Sequence, residues 1–591
     1  MFNHLVECQQ YLDYCSANNL HNEVTRKANI RRKSRPQLPF PTLTPSEKED
    51  LDRRAARVCL IGGYPFTLFE DEDMKAFCKG MNAAYKPPCR QKIAGELLDS
   101  QYLDIKRDID AFLNHQNCLN VITDESTNIN HCRICNISIH TLVGALHYIS
   151  EDIGAQRTDA NAYAAWLTKH LSKITNNDFL RINSISADTC STMFAMRDLL
   201  QQTQHFKHVF FIPCESHSLQ LLVKDLLSIP RLKDIHTKAQ AIVKAFHKSP
   251  LQYARLRECQ MECYKTYYAL VLSVITRWGT QFRLISSLLR SKVALRKYVD
   301  DREPKDLGYN AYEYISDRNF WRDLDIMREL LEPIDEHLKM SESSKGHLGL
   351  VLDRWIDILK HLKRRIKDIP ELEDFTNENG GLFAQRYKRQ VAPIHIVAFY
   401  LRPDNHSISI TPEHEMVIYD FSKRYIECEE DAHTFWAEFQ AFRSQMTPFS
   451  ANRPCWIISN DVRLFWCNMN THTRIIGKLA LRIFSTPTNS VASEQAFSVQ
   501  NHIQSKLRAS LLNSKANKLT YTYINGRMLR KLGSVAENHQ VVEAQISSHN
   551  LTLEQELQLE NELLAEENIQ DDNDMESESE NEELWFDDDE N

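Results

Sequence analysis

Leu119-Asn120-Val121-Ile122-Thr123-Asp124 and Ile182-Asn183-Ser184-Ile185-Ser186-Ala187-Asp188 are two short apolar-rich runs, each closed by an aspartate. Their length and β-branched content read as strands. Between them, Tyr163, Leu167, Leu171 and Ile174 share one face of a helix over 159–174, with Thr158 or Asp159 as its cap. Residues 134–142 alternate: Cys135, Ile137 and Ile139 on one side, Asn136, Ser138 and His140 on the other. That is the pattern of a half-buried strand. A strand over 208–212 follows, then a helix with Leu219, Leu222, Val223 and Leu226 on one face. The alternation across 117–228 predicts an α/β sheet with parallel members.

On either side of this stretch the texture is helical. Residues 45–116 carry helical periodicity broken by Gly62-Gly63 and Pro87-Pro88. Residues 229–470 are long helical patterns with breaks near 302–309 and 376–381, and 475–530 are helical again, with Leu512, Ala516, Leu519 and Tyr523 on one stripe. Glycine is scarce, 15 in 591 residues, as a helix-rich chain requires.

Charge is unevenly placed. The formal total is -9, from 71 Lys+Arg and 80 Asp+Glu, but residues 551–591 hold 18 acids and no Lys or Arg. Removing them leaves +9 on the other 550 residues, a basic body suited to a nucleic-acid partner. Residues 26–35 contain Arg26, Lys27, Arg31, Arg32, Lys33 and Arg35, a nuclear-localisation or DNA-backbone segment, or equally a solvated linker. The acidic end is expected to be disordered, because low hydrophobicity and high charge do not repay the entropy of ordering. It either recruits a partner through Trp585-Phe586 or serves solubility. Met1 to Cys15 lacks the apolar core of a signal peptide, and no stretch approaches the length of a membrane span. The 15 cysteines lack disulfide-scaffold density. Cys132/Cys135 and Cys259/Cys263 read as structural rather than as halves of a metal site.

Asp124 and Asp188 are the sharpest chemical feature. Each stands at the carboxyl end of a predicted strand, where open α/β sheets bind ligands. If the two strands are parallel neighbours, the carboxylates converge and repel unless a cation lies between them. Mg²⁺ or Mn²⁺ suits such oxygen ligands, and two ions can serve phosphoryl transfer. The alternative is that both aspartates merely start turns or cap helices.

Six blocks in order decide between these. Ile122-Thr-Asp-Glu-Ser126, Ile185-Ser-Ala-Asp188, Pro213-Cys-Glu-Ser-His217, Thr276-Arg-Trp278, Ala398-Phe-Tyr-Leu-Arg-Pro403 and Pro487-Thr-Asn-Ser-Val-Ala-Ser-Glu-Gln-Ala-Phe-Ser498 together resemble hAT-superfamily (hobo/Activator-type) DNA transposases, over about residues 118–530. The resemblance implies a ribonuclease-H-like α/β core interrupted by a large all-α insertion and a helical C-terminal dimerisation region; the disordered acidic tail is not part of the family pattern. It divides the chain into a basic arm with the remnant of a BED-type zinc finger (1–44), a helical N-terminal region (45–116), the first part of the core (117–228), the insertion (229–470), the end of the core with the dimerisation region (471–535), and the tail (536–591).

It further implies Asp124, Asp188 and Glu494 as catalytic ligands of Mg²⁺ or Mn²⁺, and Trp278 as an aromatic that stacks on a displaced base. Cys214 and His217 become bracing residues rather than zinc ligands. Of the finger only His4-Leu-Val-Glu-Cys8 remains, so no working zinc site is expected in this chain, and Gln495 stands where the family more usually has Arg. The expected protein is a nuclear, DNA-handling homo-oligomer. It is either a metal-dependent transposase that cuts and joins element ends, or a catalytically inactive, transposase-derived DNA-binding or regulatory protein.

Overall fold

The structure is a computed structural model that describes residues 13, 43–141, 144–154, 159–273, 279–343, 346–426, 428–504 and 511–548, with side chains to residue 533. Residues 26–35, Trp278, the His4–Cys8 remnant and residues 549–591 of the acidic tail lie outside the described residues, whereas the first part of the tail, to Ser548, is helix.

At the centre is a mixed five-stranded sheet: β1 (Leu119–Thr127), β2 (Arg133–Thr141), β3 (Gly144–Asp152), β4 (Ile182–Ala187) and β5 (Phe210–Pro213), in the order β3-β2-β1-β4-β5. β1 pairs antiparallel with β2 and β2 antiparallel with β3, whereas β1–β4 and β4–β5 are parallel. The two strands that end in aspartates are therefore parallel neighbours. Two expectations change. β1 does not stop at Asp124, because its antiparallel pairing with β2 continues to Thr127↔Arg133 after the parallel pairing with β4 has ended at Ile122↔Ser186. β3, which sequence alternation does not mark, adds an antiparallel edge.

The local reasons for the crossover elements are visible. Asp159 caps helix α1 (Ala160–Thr175) by accepting from the Ala162 N–H at 2.9 Å, and Tyr163, Leu167, Leu171 and Ile174 are buried on its inner face. Tyr163 reaches Thr123 of β1 through an O···O contact of 2.8 Å. Helices α2 (Ser191–Gln202) and α3 (Glu215–Leu226) follow β4 and β5.

β2 corrects the half-buried reading. Ile137 is 0 % exposed, but so is Asn136, and Ser138 is 2 %. The polar face is covered by helix α5 (Val491–Ile503), which packs across β1, β2 and β3.

The helical region builds two apolar cores. One joins Leu219, Leu222 and Leu226 of α3 to helices that include α4 (Arg318–Glu342). The other surrounds Phe210 and Ile212 of β5 with residues such as Val397, Phe439, Trp466 and Ile483. A buried ion pair, Arg354 Nη1 to Glu215 Oε2 at 2.5 Å, links the start of α3 to the helical region.

At the C-terminal end, helix α6 (Asn513–Ser548) begins by closing the sheet's β3 edge. Asn517 Nδ2 donates to the Ser150 carbonyl at 2.7 Å, and Asn525 both accepts from the His147 N–H (2.9 Å) and donates to its carbonyl (2.7 Å). Of the sequence stripe, Leu519 packs with Ala55, Ala56 and Leu60 of the N-terminal helix Pro45–Gly62, and Ala516 is fully buried. Gly63 ends that N-terminal helix at φ +80°, and a Cβ there would meet the Tyr523 ring at 3.1 Å. This stripe is thus largely occupied within the chain, while Leu512 is exposed. Contacts divide the molecule into two units, Met1–Asn525 and Gly526–Asn591, and the described part of the second is helix to Ser548. No helix among the described residues is long and apolar enough to cross a membrane.

Candidate active site

Parallel register sets the first pair. Ile122 and Ser186 are partners, and two residues farther along each strand stand Asp124 and Asp188. Residues two apart on a strand share a face, which puts Asp124 on the side of Ile122; Asp188 stands one residue past the end of β4, near enough for its charge to act on Asp124. Asp124 Oδ1 accepts from the Glu125 N–H at 2.8 Å, and Asp188 Oδ1 accepts from the Cys190 N–H at 3.0 Å. Asp188 therefore also makes the turn contact that an aspartate after a strand is prone to make. Burial, and next the Asp188 charge, push the Asp124 carboxyl up to about 7. Glu125 faces the other way, where it pairs with Arg133 at 2.6 Å.

Glu494 arrives in the first turn of α5. Burial, then Asp124, Glu342 and Asp188, push its carboxyl up to about 8. More than 300 residues separate it in sequence from Asp188, yet it lies in the field of both aspartates. Local contacts hold it there. Asn136, the cross-strand partner of Asp124, donates from Nδ2 to the Ser493 carbonyl at 2.9 Å. The Cys214 N–H donates to the Ala187 carbonyl at 2.8 Å, its sulfur accepts from the Ser490 N–H at 3.2 Å, and the Glu215 N–H donates to the Thr488 carbonyl at 3.0 Å. Cys214 thus ties the residue before Asp188 to the segment leading into α5. Its sulfur also accepts from the His217 N–H at 3.5 Å as cap of α3, and burial pushes its thiol up to about 12. His217 is half-buried; burial lowers its imidazole pKa, against the opposing pull of the Asp188 charge.

Sequence reading missed two residues here. The alternation puts Asn136 on the polar side of a half-buried strand, where its burial is not legible. Glu342, at the end of α4, adds a fourth carboxylate to the field around Glu494, and its own carboxyl is raised by burial and then by Asp335. Its side chain reaches solvent. It is carried in because the Ser341 carbonyl accepts from Asn489 Nδ2 at 2.5 Å and from Thr488 Oγ1 at 3.5 Å. No local signal marks a glutamate at a helix end for such a role. Gln495, beside Glu494, is exposed.

The donor chemistry fits a hard divalent cation. Asp124, Asp188 and Glu494 are oxygen donors, and among the described residues none of the three is ion-paired with a Lys or Arg. Their spacing is looser than a closed site: among the described residues, no three His, Cys, Asp or Glu side chains gather tightly enough to hold a metal ion.

Comparison with known families agrees with the sequence motifs. Residues 88–242 match a family described as a domain of unknown function (DUF659), and residues 212–329 match the ZBED1 RNase-like helical domain. Two maize (Zea mays) proteins, the putative AC transposase and the putative AC9 transposase, are each 24% identical over 253 residues, 39% of this chain. The match spans only 30% and 29% of those relatives' own lengths. These matches, together with the ordered motif blocks, support a hAT-type transposase relationship at low identity.

Proposed function

We propose that the chain is a hAT-type transposase, or a protein derived from one, that acts on DNA through Asp124, Asp188 and Glu494 on a ribonuclease-H-like core. The observation that carries this is Glu494, brought from the far side of the helical region into the field of the two strand-end aspartates. The strand order β3-β2-β1-β4-β5, with an antiparallel half and a parallel half, supports the core assignment, as does helical chain entering between β5 and α5.

In this reading the three carboxylates would hold Mg²⁺ or Mn²⁺, which would supply activation of a water and stabilisation of a leaving oxygen in strand cleavage and transfer. The chain's own residues position that chemistry. β1 and β4 bring the aspartates within reach of each other's charge, and the Cys214 and Asn136 contacts fix the helix of Glu494. Trp278 stacks on an unpaired base, and Arg26, Lys27, Arg31, Arg32, Lys33 and Arg35 contact the DNA backbone. Such backbone binding falls steeply with salt. The working form is nuclear and homo-oligomeric through the C-terminal region. Because Ala516 and Leu519 are already buried within the chain, the partner surface lies on other faces of that region.

The open spacing of the carboxylates favours a second reading, a regulatory DNA-binding relative without catalysis. Cleavage of terminal-repeat DNA with Mg²⁺ or Mn²⁺ separates the two. Activity in the parent, lost in Asp124→Asn, Asp188→Asn and Glu494→Gln, supports the enzyme. Equal cutting by parent and variants sinks the site, and DNA binding without cutting in the parent supports the regulator.

A further inference from the structure

We propose that Glu215 and Arg354 are a positioning pair: their buried contact sets the place of residues 488–490, and with them the helix that carries Glu494. Four elements meet here. Glu215 is 0 % exposed in the first turn of α3, and Arg354 is 3 % exposed on the helix Val351–Arg364. Arg354 Nη1 donates to Glu215 Oε2 at 2.5 Å. The backbone of the same glutamate holds the returning chain, because its N–H donates to the Thr488 carbonyl at 3.0 Å. On one side of it, Cys214 Sγ accepts from the Ser490 N–H at 3.2 Å; on the other, Ser216 Oγ donates to Ser341 Oγ at 3.4 Å, at the end of α4. The Ser341 carbonyl closes the ring by accepting from Asn489 Nδ2 and Thr488 Oγ1. Three consecutive residues, Cys214 to Ser216, thus touch 488–490 and α4, and the middle one is anchored to Arg354.

Stability alone does not account for the pair. Taking two charges out of water costs more than their attraction returns unless the remaining donors and acceptors are satisfied, and apolar residues of similar volume often fill such a place as well or better. Here they are not satisfied: Glu215 Oε1, Arg354 Nε and Arg354 Nη2 are buried without a hydrogen-bond partner in the chain. What an ion pair supplies and apolar packing does not is direction. A planar guanidinium meets a carboxylate in a narrow set of orientations. That fixes the first turn of α3 against the helix Val351–Arg364, and so aims the Glu215 N–H and the Cys214 sulfur at residues 488–490. Glu494 follows four residues after Ser490. The inference stands apart from any chemistry at the carboxylates, because it concerns where that helix sits.

The readout is Cys214, itself 0 % exposed and in contact with Ser490. Its alkylation by N-ethylmaleimide in the full chain, resolved by peptide mass spectrometry, reports whether residues 488–490 stay seated. Cys59 and Cys455, both 2 % exposed in apolar cores elsewhere, report loosening of the whole molecule. The double variant Glu215→Leu with Arg354→Met replaces both charges by apolar side chains, so its thermal midpoint should stay near the parent's. Its Cys214 should nevertheless react about tenfold faster relative to Cys59 and Cys455, the scale of coupling within one polar network. Arg354→Lys keeps the charge but not the planar fork, and should raise the same ratio by about threefold. A pair that serves stability alone would move the three cysteines together or not at all. An unchanged ratio in either folded variant therefore overturns the inference; if neither folds, Glu215→Gln, which removes only the charge, is read in the same way. A raised ratio in the variants together with no DNA cleavage by the parent would sink the catalytic reading and leave the positioning pair standing.

Discussion

The two faces of β2 are both buried, for different reasons. Cys135, Ile137 and Ile139 lie on the face of β1 and β2 that Tyr163 of α1 reaches through Thr123, a helix that follows within a few tens of residues. Asn136 and Ser138 lie under α5, which returns after more than 350 residues. The first face is an ordinary apolar core, and its alternation can be read directly. The second keeps polar side chains in a buried place, because it is where Asp124 meets the helix of Glu494. Apolar burial on one side holds the sheet; polar burial on the other holds the candidate chemistry.

Substitutions on the two faces should separate accordingly. The largest effect is expected on the polar face: Asp124→Asn should reduce cation-dependent strand cleavage by more than about a hundredfold, beyond the upper end of what supporting residues contribute. Circular dichroism should stay at the parent's, and a fold change there would mean Asp124 is structural. On the apolar face, Ile137→Ala should cost about 2–5 kcal/mol in denaturant unfolding, while Mn²⁺ affinity of the folded fraction is retained. Loss of Mn²⁺ binding in that variant would erase the distinction between the faces.

A third expectation concerns pH. The carboxyls of Asp124 and Glu494 are raised to about 7 and about 8 in the fold, above their unfolded values of about 4. Groups raised in this way leave the native state holding more protons than the unfolded one, so the stability they provide is complete below about pH 4 and is lost as pH climbs toward 8. Without divalent cation, the thermal midpoint should therefore fall between about pH 5 and 8. Mn²⁺ should restore more at pH 8 than at pH 5, and Asp124→Asn should flatten the profile. A profile that is flat in the parent would mean these carboxyls are not held neutral. The smallest effect is expected from Arg133→Ala, which breaks the partly exposed pair with Glu125 on the apolar side; about 0.5 kcal/mol or less should be lost, with cleavage unchanged.

Legibility followed sequence distance. The strand over Ile182–Ala187, the cap at Asp159 and the inner face of α1 were all readable, because each depends on residues within a turn or two. The end of β1 was not, since it depends on which partner strand persists longer. β3 was missed because Gly144–Asp152 mixes polar and apolar residues without clean alternation; its edge is satisfied by Asn517 and Asn525 instead. The C-terminal stripe was legible as helical spacing, but not which part is buried or against what: Ala516 and Leu519 are buried, Leu519 against the chain's own N-terminal helix, while Leu512 is exposed.

By itself the sequence determined the elements and the positions of two aspartates at strand ends, because short-range periodicity and strand-end chemistry are local properties. The ordered motif blocks added Glu494 as a third candidate. Only the tertiary structure decided that β1 and β4 are parallel neighbours, that α5 covers the polar face of β2, and that Asn136 and Glu342 enter the same electrostatic field as Glu494. The placement of α5 over β2 depends on closing a loop of more than 300 residues, and no local pattern encodes where its two ends meet.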